Sequence, residues 1–173
     1  MGQRDFTQDE ARPAGKLPSQ APQGDRIAGT PGCGKCHGED TVDWKRSKHA
    51  RAWESLVSRG THVDPDCQQC HATGYGLPGG FVSVRRSPDR TGVGCEDCHG
   101  TSQRHAADPK VRTPWFGRAR DRCPGCHDRE NSPDFHYDKY WEQIDHGAPA
   151  DEAPQAPVSR SPQDASRARE DRR

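Results

Sequence analysis

The eight cysteines of this chain stand as four pairs with two residues inside each pair: Cys33/Cys36, Cys67/Cys70, Cys95/Cys98 and Cys123/Cys126. A histidine follows each pair at once, namely His37, His71, His99 and His127. Histidine makes up 9 of 173 residues, so four such coincidences have a chance probability on the order of 10⁻⁵, against a pattern with a known use in c-type haem attachment. The spacing explains that use. Two thiols three residues apart lie near one another on a single turn and can add across the two vinyl groups of one haem. The next residue then carries its imidazole beneath the iron as the proximal ligand. Four motifs therefore imply four covalently bound haem c groups.

Two other chemistries use paired cysteines. Two Cys-x-x-Cys pairs can build a zinc site with four thiolates, and eight cysteines would make two such staples. That arrangement gives the four adjacent histidines no task. Thiol–disulfide exchange needs a βαβ context for its Cys-x-x-Cys, which the pattern of this chain lacks.

Haem iron takes a sixth ligand, and the only methionine is Met1. The methionine ligation that raises potential in many cytochromes c is thus closed to the domain. Five histidines outside the motifs remain for four irons: His49, His62, His105, His136 and His146. Composition alone leaves each open as a ligand or a surface residue.

The elements that must position these residues are sparse. Leu, Ile, Val and Phe together make up about a tenth of the chain, well under the roughly 20% at which a chain starts to build its own core. Fixing each backbone residue costs about 1–2 kcal/mol of conformational entropy, so the core has to come from something other than amino acids. Four flat, mostly apolar macrocycles meet that need, and the covalent links act as staples. A packed domain of this size has a radius of gyration of only about 13 Å, so the haems stand close together.

The expected fold class is mainly α with extensive loop, a small multihaem cytochrome c domain. One helix is predicted from Asp40 to Arg59, stopped by Gly60, and a second from Ser132 to His146, capped by Ser132. A short β-hairpin is predicted where Gly79-Gly80 precedes Phe81-Val82-Ser83-Val84. Residues 1–32 and 148–173 are rich in proline and poor in apolar residues, and are expected to be disordered flanks around a tetrahaem domain at 33–147. The 26 basic and 26 acidic side chains balance, which gives no footprint for nucleic acid. No run of residues is apolar enough for a membrane span. The basic run Lys110, Arg112, Arg118, Arg120 and Arg122 either faces haem propionates or is a solvated loop.

Several blocks occur in a familiar order. Trp44 is followed by Ser47-Lys48-His49-Ala50 and Glu54-Ser55-Leu56. His71 runs into Ala-Thr-Gly-Tyr-Gly-Leu-Pro-Gly-Gly80. The third motif sits in Thr91-Gly-Val-Gly-Cys-Glu-Asp-Cys-His-Gly100, with His105 beyond it and His146 closing the unit. Over roughly residues 30–147 this resembles the tetrahaem cytochrome c-554 family. The resemblance implies distal ligands at His49, His105 and His146, and three bis-histidine haems. It also implies that the haem on Cys67, Cys70 and His71 is five-coordinate, and it leaves His62 and His136 without a role.

The expected function is a periplasmic electron carrier between redox partner proteins. Covalent haem attachment takes place outside the cytoplasm, although residues 1–30 contain no apolar signal segment. A haem enzyme reducing a nitrogen oxide, oxygen or peroxide at the open iron is the alternative. A zinc-stapled binding module is the lesser one.

Overall fold

The computed structural model describes residues 24–146; residues 1–23 and 147–173, which include the whole expected C-terminal flank, lie outside the described residues. The described chain runs through seven short helices: α1 (Thr30–Cys33), α2 (Gly38–Arg46), α3 (Ala52–Arg59), α4 (Pro65–His71), α5 (Cys95–His99), α6 (Gln103–Ala107) and α7 (Tyr137–Trp141). Two 3₁₀ segments, Pro88–Arg90 and Ala119–Gly125, add to them. Most of these elements are the motifs themselves. α1 ends on Cys33, α4 and α5 end on their motif histidines, and the second 3₁₀ segment carries Cys123.

Local sequence accounts for several ends. Asp64 caps α4 by accepting the Asp66 N–H at 2.9 Å, with Pro65 in the first turn. α3 stops where expected, at Gly60, whose φ of 72° is the left-handed conformation that closes a helix.

The single helix expected from Asp40 to Arg59 is instead two, broken between Arg46 and Ala52. Ser47 turns extended, and its hydroxyl accepts the Ala50 N–H. The break frees the His49 carbonyl to accept from Val93 N at 3.0 Å, while the Trp44 indole donates to the Val93 carbonyl at 2.8 Å. Tertiary contacts to the loop before α5 override the local helical pattern. The helix expected from Ser132 to His146 shrinks to α7 for a similar reason. Ser132 does not cap it, because its hydroxyl bonds the His127 ring at 2.9 Å and Phe135 stacks on that ring.

The expected hairpin does not form, and among the described residues the only β pairing is two isolated bridges from Ala72 to Thr91 and Gly92. Residues 72–92 make a closed loop. Phe81 N donates to the Thr73 carbonyl, and the Val82 and Ser83 amides are taken by the Ser87 hydroxyl rather than a partner strand. A side chain at Gly80 would collide with the Gly74 carbonyl, so this crossing of the loop requires glycine.

Residues 24–32, grouped with the N-terminal flank on composition, are packed. Asp25, Ile27 and Thr30 are buried, and Ile27 N bonds the Pro78 carbonyl. The apolar cluster is small: Trp53, Leu56, Ala72, Tyr75 and Phe81, joined by Cys67 and Val84. Trp53 and Phe81 meet at 5.1 Å between ring centroids. Replacing Phe81, which is 2% exposed, by alanine is expected to cost about 3–5 kcal/mol. Thermal unfolding of the haem-loaded protein tests this, and a loss under about 1 kcal/mol would show that the cluster is not load-carrying.

Candidate haem sites

All eight cysteines are thiols with no disulfide among them. The first and third motifs touch, since the Cys33 and Cys95 thiols lie within hydrogen-bonding reach. The fourth and second touch in the same way through Cys126 and Cys70. α5 packs against the 3₁₀ segment that carries Cys123, which joins the third motif to the fourth. These contacts link the first motif to the third, the third to the fourth, and the fourth to the second.

Burial pushes the Cys98 thiol up to about 12 and raises Cys67 and Cys123. Cys95 is the exception, brought down to about 6 by the hydrogen bond from Cys33, whose own thiol that contact drives up. Most of these surroundings disfavour a charged sulfur. Among the described residues no three His, Cys, Asp or Glu groups converge as a metal-ion cluster, so the four-thiolate arrangement of the zinc reading is not assembled.

The motif histidines are met by three of the histidines outside the motifs. His37 and His105 lie 6.1 Å apart between ring centroids, His127 and His49 5.9 Å, and His99 and His146 6.1 Å. Such separations also occur in ordinary aromatic contacts. The selectivity is the informative part, because each pair joins one motif ring to one outside ring. Two metal–imidazole bonds of roughly 2 Å, plus the ring radii, add to about 6 Å between centroids. The spacing fits an iron held between each pair.

His71 has no such partner among the described residues. Its Nδ1 lies 2.8 Å from the Ala52 carbonyl. His62 instead faces the edge of Trp53 at 6.5 Å, with its Nδ1 buried and without a hydrogen-bond partner. His136 sits at the start of α7 and pairs with no motif histidine.

Ring orientation is set by what Nδ1 meets. His37 Nδ1 is 3.1 Å from the Asp40 carboxylate, His105 Nδ1 is 2.8 Å from the Val111 carbonyl, and His146 Nδ1 is 2.7 Å from the Ile144 carbonyl. Carbonyl or carboxylate acceptors fix the proton on Nδ1 and leave Nε2 as the basic nitrogen for a metal. Burial lowers the pKa of His49, His99 and His127, with neighbouring imidazoles adding to the effect. Neutral imidazole, the ligating form, is thereby favoured.

Residues 32–100 match the protein family described as cytochrome c554 and c-prime. Over that segment the chain is similar to this family. A similar protein is cytochrome c-554 of Nitrosomonas europaea, 30% identical over 122 residues, covering 62% of this chain and 52% of the relative. The chain thus spans about half the length of that relative. No solved structure matches it. Both comparisons agree with the resemblance read from the sequence.

Sequence reading missed two things here: which outside histidine meets which motif, and the roles of Glu96 and Asp97. Glu96 is 3% exposed. Its carboxylate accepts from Ala28 N, Gly29 N and Ser102 N at 2.9, 2.6 and 2.8 Å. Asp97 accepts from Gly74 N and Gly94 N at 2.9 and 2.8 Å, and burial pushes its carboxyl up to about 7 against the pull of those donors. A carboxylate flanked by two cysteines in Cys-x-x-Cys was the available signal.

Proposed function

We propose that the chain is a tetrahaem electron-transfer cytochrome that works in the periplasm between redox partner proteins. The observation that carries this reading is the pairing of His37 with His105, His99 with His146, and His127 with His49. In it, Cys33 and Cys36 attach the first haem, with His37 and His105 on its two faces. Cys95 and Cys98 attach the third, between His99 and His146. Cys123 and Cys126 attach the fourth, between His127 and His49. Cys67 and Cys70 attach the second, with His71 as its single histidine.

Haem c supplies reversible one-electron exchange at its iron. The chain contributes attachment, ligation and spacing. Histidine on both faces, with no methionine among the described residues, keeps the potentials below those of histidine–methionine sites. The periplasm follows from the chemistry of covalent attachment, which is completed outside the cytoplasm. Among the described residues no helix is long and apolar enough to cross a membrane.

The haem-to-protein ratio by alkaline pyridine spectrum is expected to be close to four, with the haem retained in denaturant. A ratio of two or less would overturn the tetrahaem reading. Replacing His49, His105 or His146 by alanine is expected to convert one low-spin haem to high-spin in each variant. An unchanged low-spin fraction in any variant removes that residue from the ligand set.

The Asp40 carboxylate beside His37 Nδ1 strengthens its ring as a donor and so favours ferric iron. Potentiometric titration of Asp40→Asn is expected to show one midpoint rising by up to about 60 mV, a tenfold change for one electron, with the others unmoved.

A second reading is favoured by His71, whose ring has no imidazole opposite it among the described residues. An open face there would let a nitrogen oxide, oxygen or peroxide bind. The ferrous protein is expected to take up carbon monoxide at one haem in four. Repeated turnover of peroxide or nitric oxide would make the protein an enzyme, and binding without turnover leaves it a carrier.

A further inference from the structure

We infer that Glu96 and Asp97, the two variable residues inside the third motif, are positioning residues that set where the other haem sites stand relative to the third. The inference rests on the tetrahaem reading above. Glu96 reaches back 68 and 67 residues to the amides of Ala28 and Gly29, directly ahead of α1 and Cys33. Its third donor, Ser102 N, leads into α6 and His105, the histidine paired with His37. One carboxylate therefore ties both walls of the first site to the middle of the third motif.

Asp97 does the same for the second site. It accepts from Gly74 N, three residues beyond His71, and from Gly94 N at the start of its own helix. Its backbone carbonyl accepts from Arg122 Nε at 3.2 Å, next to Cys123 of the fourth motif. Two adjacent residues thus connect the third motif to the other three.

The other motifs contain no counterpart. Gln68 bonds the His62 carbonyl and Gln69 the Asp66 carbonyl, both within six residues. Gly34, Pro124 and Gly125 have no polar side chain, and Lys35 is exposed. Charge-assisted bonds to backbone N–H groups are among the stronger hydrogen bonds, and removing the acceptor leaves buried donors unpaired. A haem joined to its motif through two thioethers moves when the motif moves. The effect of losing either carboxylate is therefore local to particular haems rather than spread over the domain.

The test uses the haem-loaded protein and its paramagnetically shifted haem methyl resonances, which report each haem separately. Glu96→Ala is expected to move the resonances of the haems on Cys33/Cys36 and Cys95/Cys98 and to leave the Cys67/Cys70 haem unmoved. Asp97→Ala is expected to move the Cys67/Cys70 and Cys95/Cys98 sets and to leave the first haem unmoved. Glu96→Gln and Asp97→Asn are expected to give smaller shifts in the same sets, and they carry the test if an alanine variant loses haem. Shifts spread evenly over all haems, or none, in variants that keep the wild-type haem count would overturn the inference. A wild-type count other than four would instead overturn the tetrahaem reading, so the two failures are told apart.

Discussion

The shortage of apolar side chains governs the rest of this structure. Among the described residues the buried set holds six apolar residues against ten polar or charged ones. An apolar cluster of five residues, at about 1.5–3 kcal/mol for each large side chain buried, falls far short of the ordering entropy of a chain this long. Covalent haem, under the proposed reading, would answer the deficit twice. It would add apolar surface, and its bonds to cysteine and histidine would cross-link a chain that is otherwise mostly turn and loop. The regular structure is reduced accordingly. Helices of four to nine residues are too short to be stable alone, and several of them do no more than present a motif.

What could be read from the sequence followed how local each signal was. The Cys-x-x-Cys-His runs are five-residue patterns with one chemical use, and Gly60 is a one-residue helix stop; both were legible. The break at Ser47 was not, because it depends on Val93, nearly fifty residues away, taking the His49 carbonyl. The hairpin failed for the same kind of reason: the Ser87 hydroxyl and Thr73 carbonyl satisfy amides that a partner strand was expected to satisfy. Residues 24–32 look like linker on composition, and they pack because Glu96 and Pro78 offer acceptors that no local pattern announces. For the histidines, the resemblance separated His49, His105 and His146 from His62 and His136. Only folding states which of the three stands opposite which motif.

Electrostatics point the same way as geometry. Burial raises the Cys67, Cys98 and Cys123 thiols and lowers His49, His99 and His127 toward the neutral imidazole that can ligate a metal. Burial raises the Glu96 and Asp97 carboxyls as well, and the backbone N–H groups they accept offset only part of that rise. A carboxylate is tolerable in such a place only when its acceptor capacity is taken up, and here every donor comes from a segment that has to be held.

Spatial order differs from chain order, and this bears on how such a domain could conduct. The first motif touches the third, the third the fourth and the fourth the second, while Asp97 also ties the third to the segment after the second. The second is the one whose histidine has no imidazole opposite it, and it lies beside the only substantial apolar cluster among the described residues, through Cys67. A site flanked by apolar side chains and lacking a second imidazole thus differs from the three whose motif histidines are paired. The first carries the Asp40 carboxylate on the Nδ1 of its motif histidine, whereas the second has the Ala52 carbonyl there. The same fold therefore gives these two motif histidines different partners, a charged one and a neutral one.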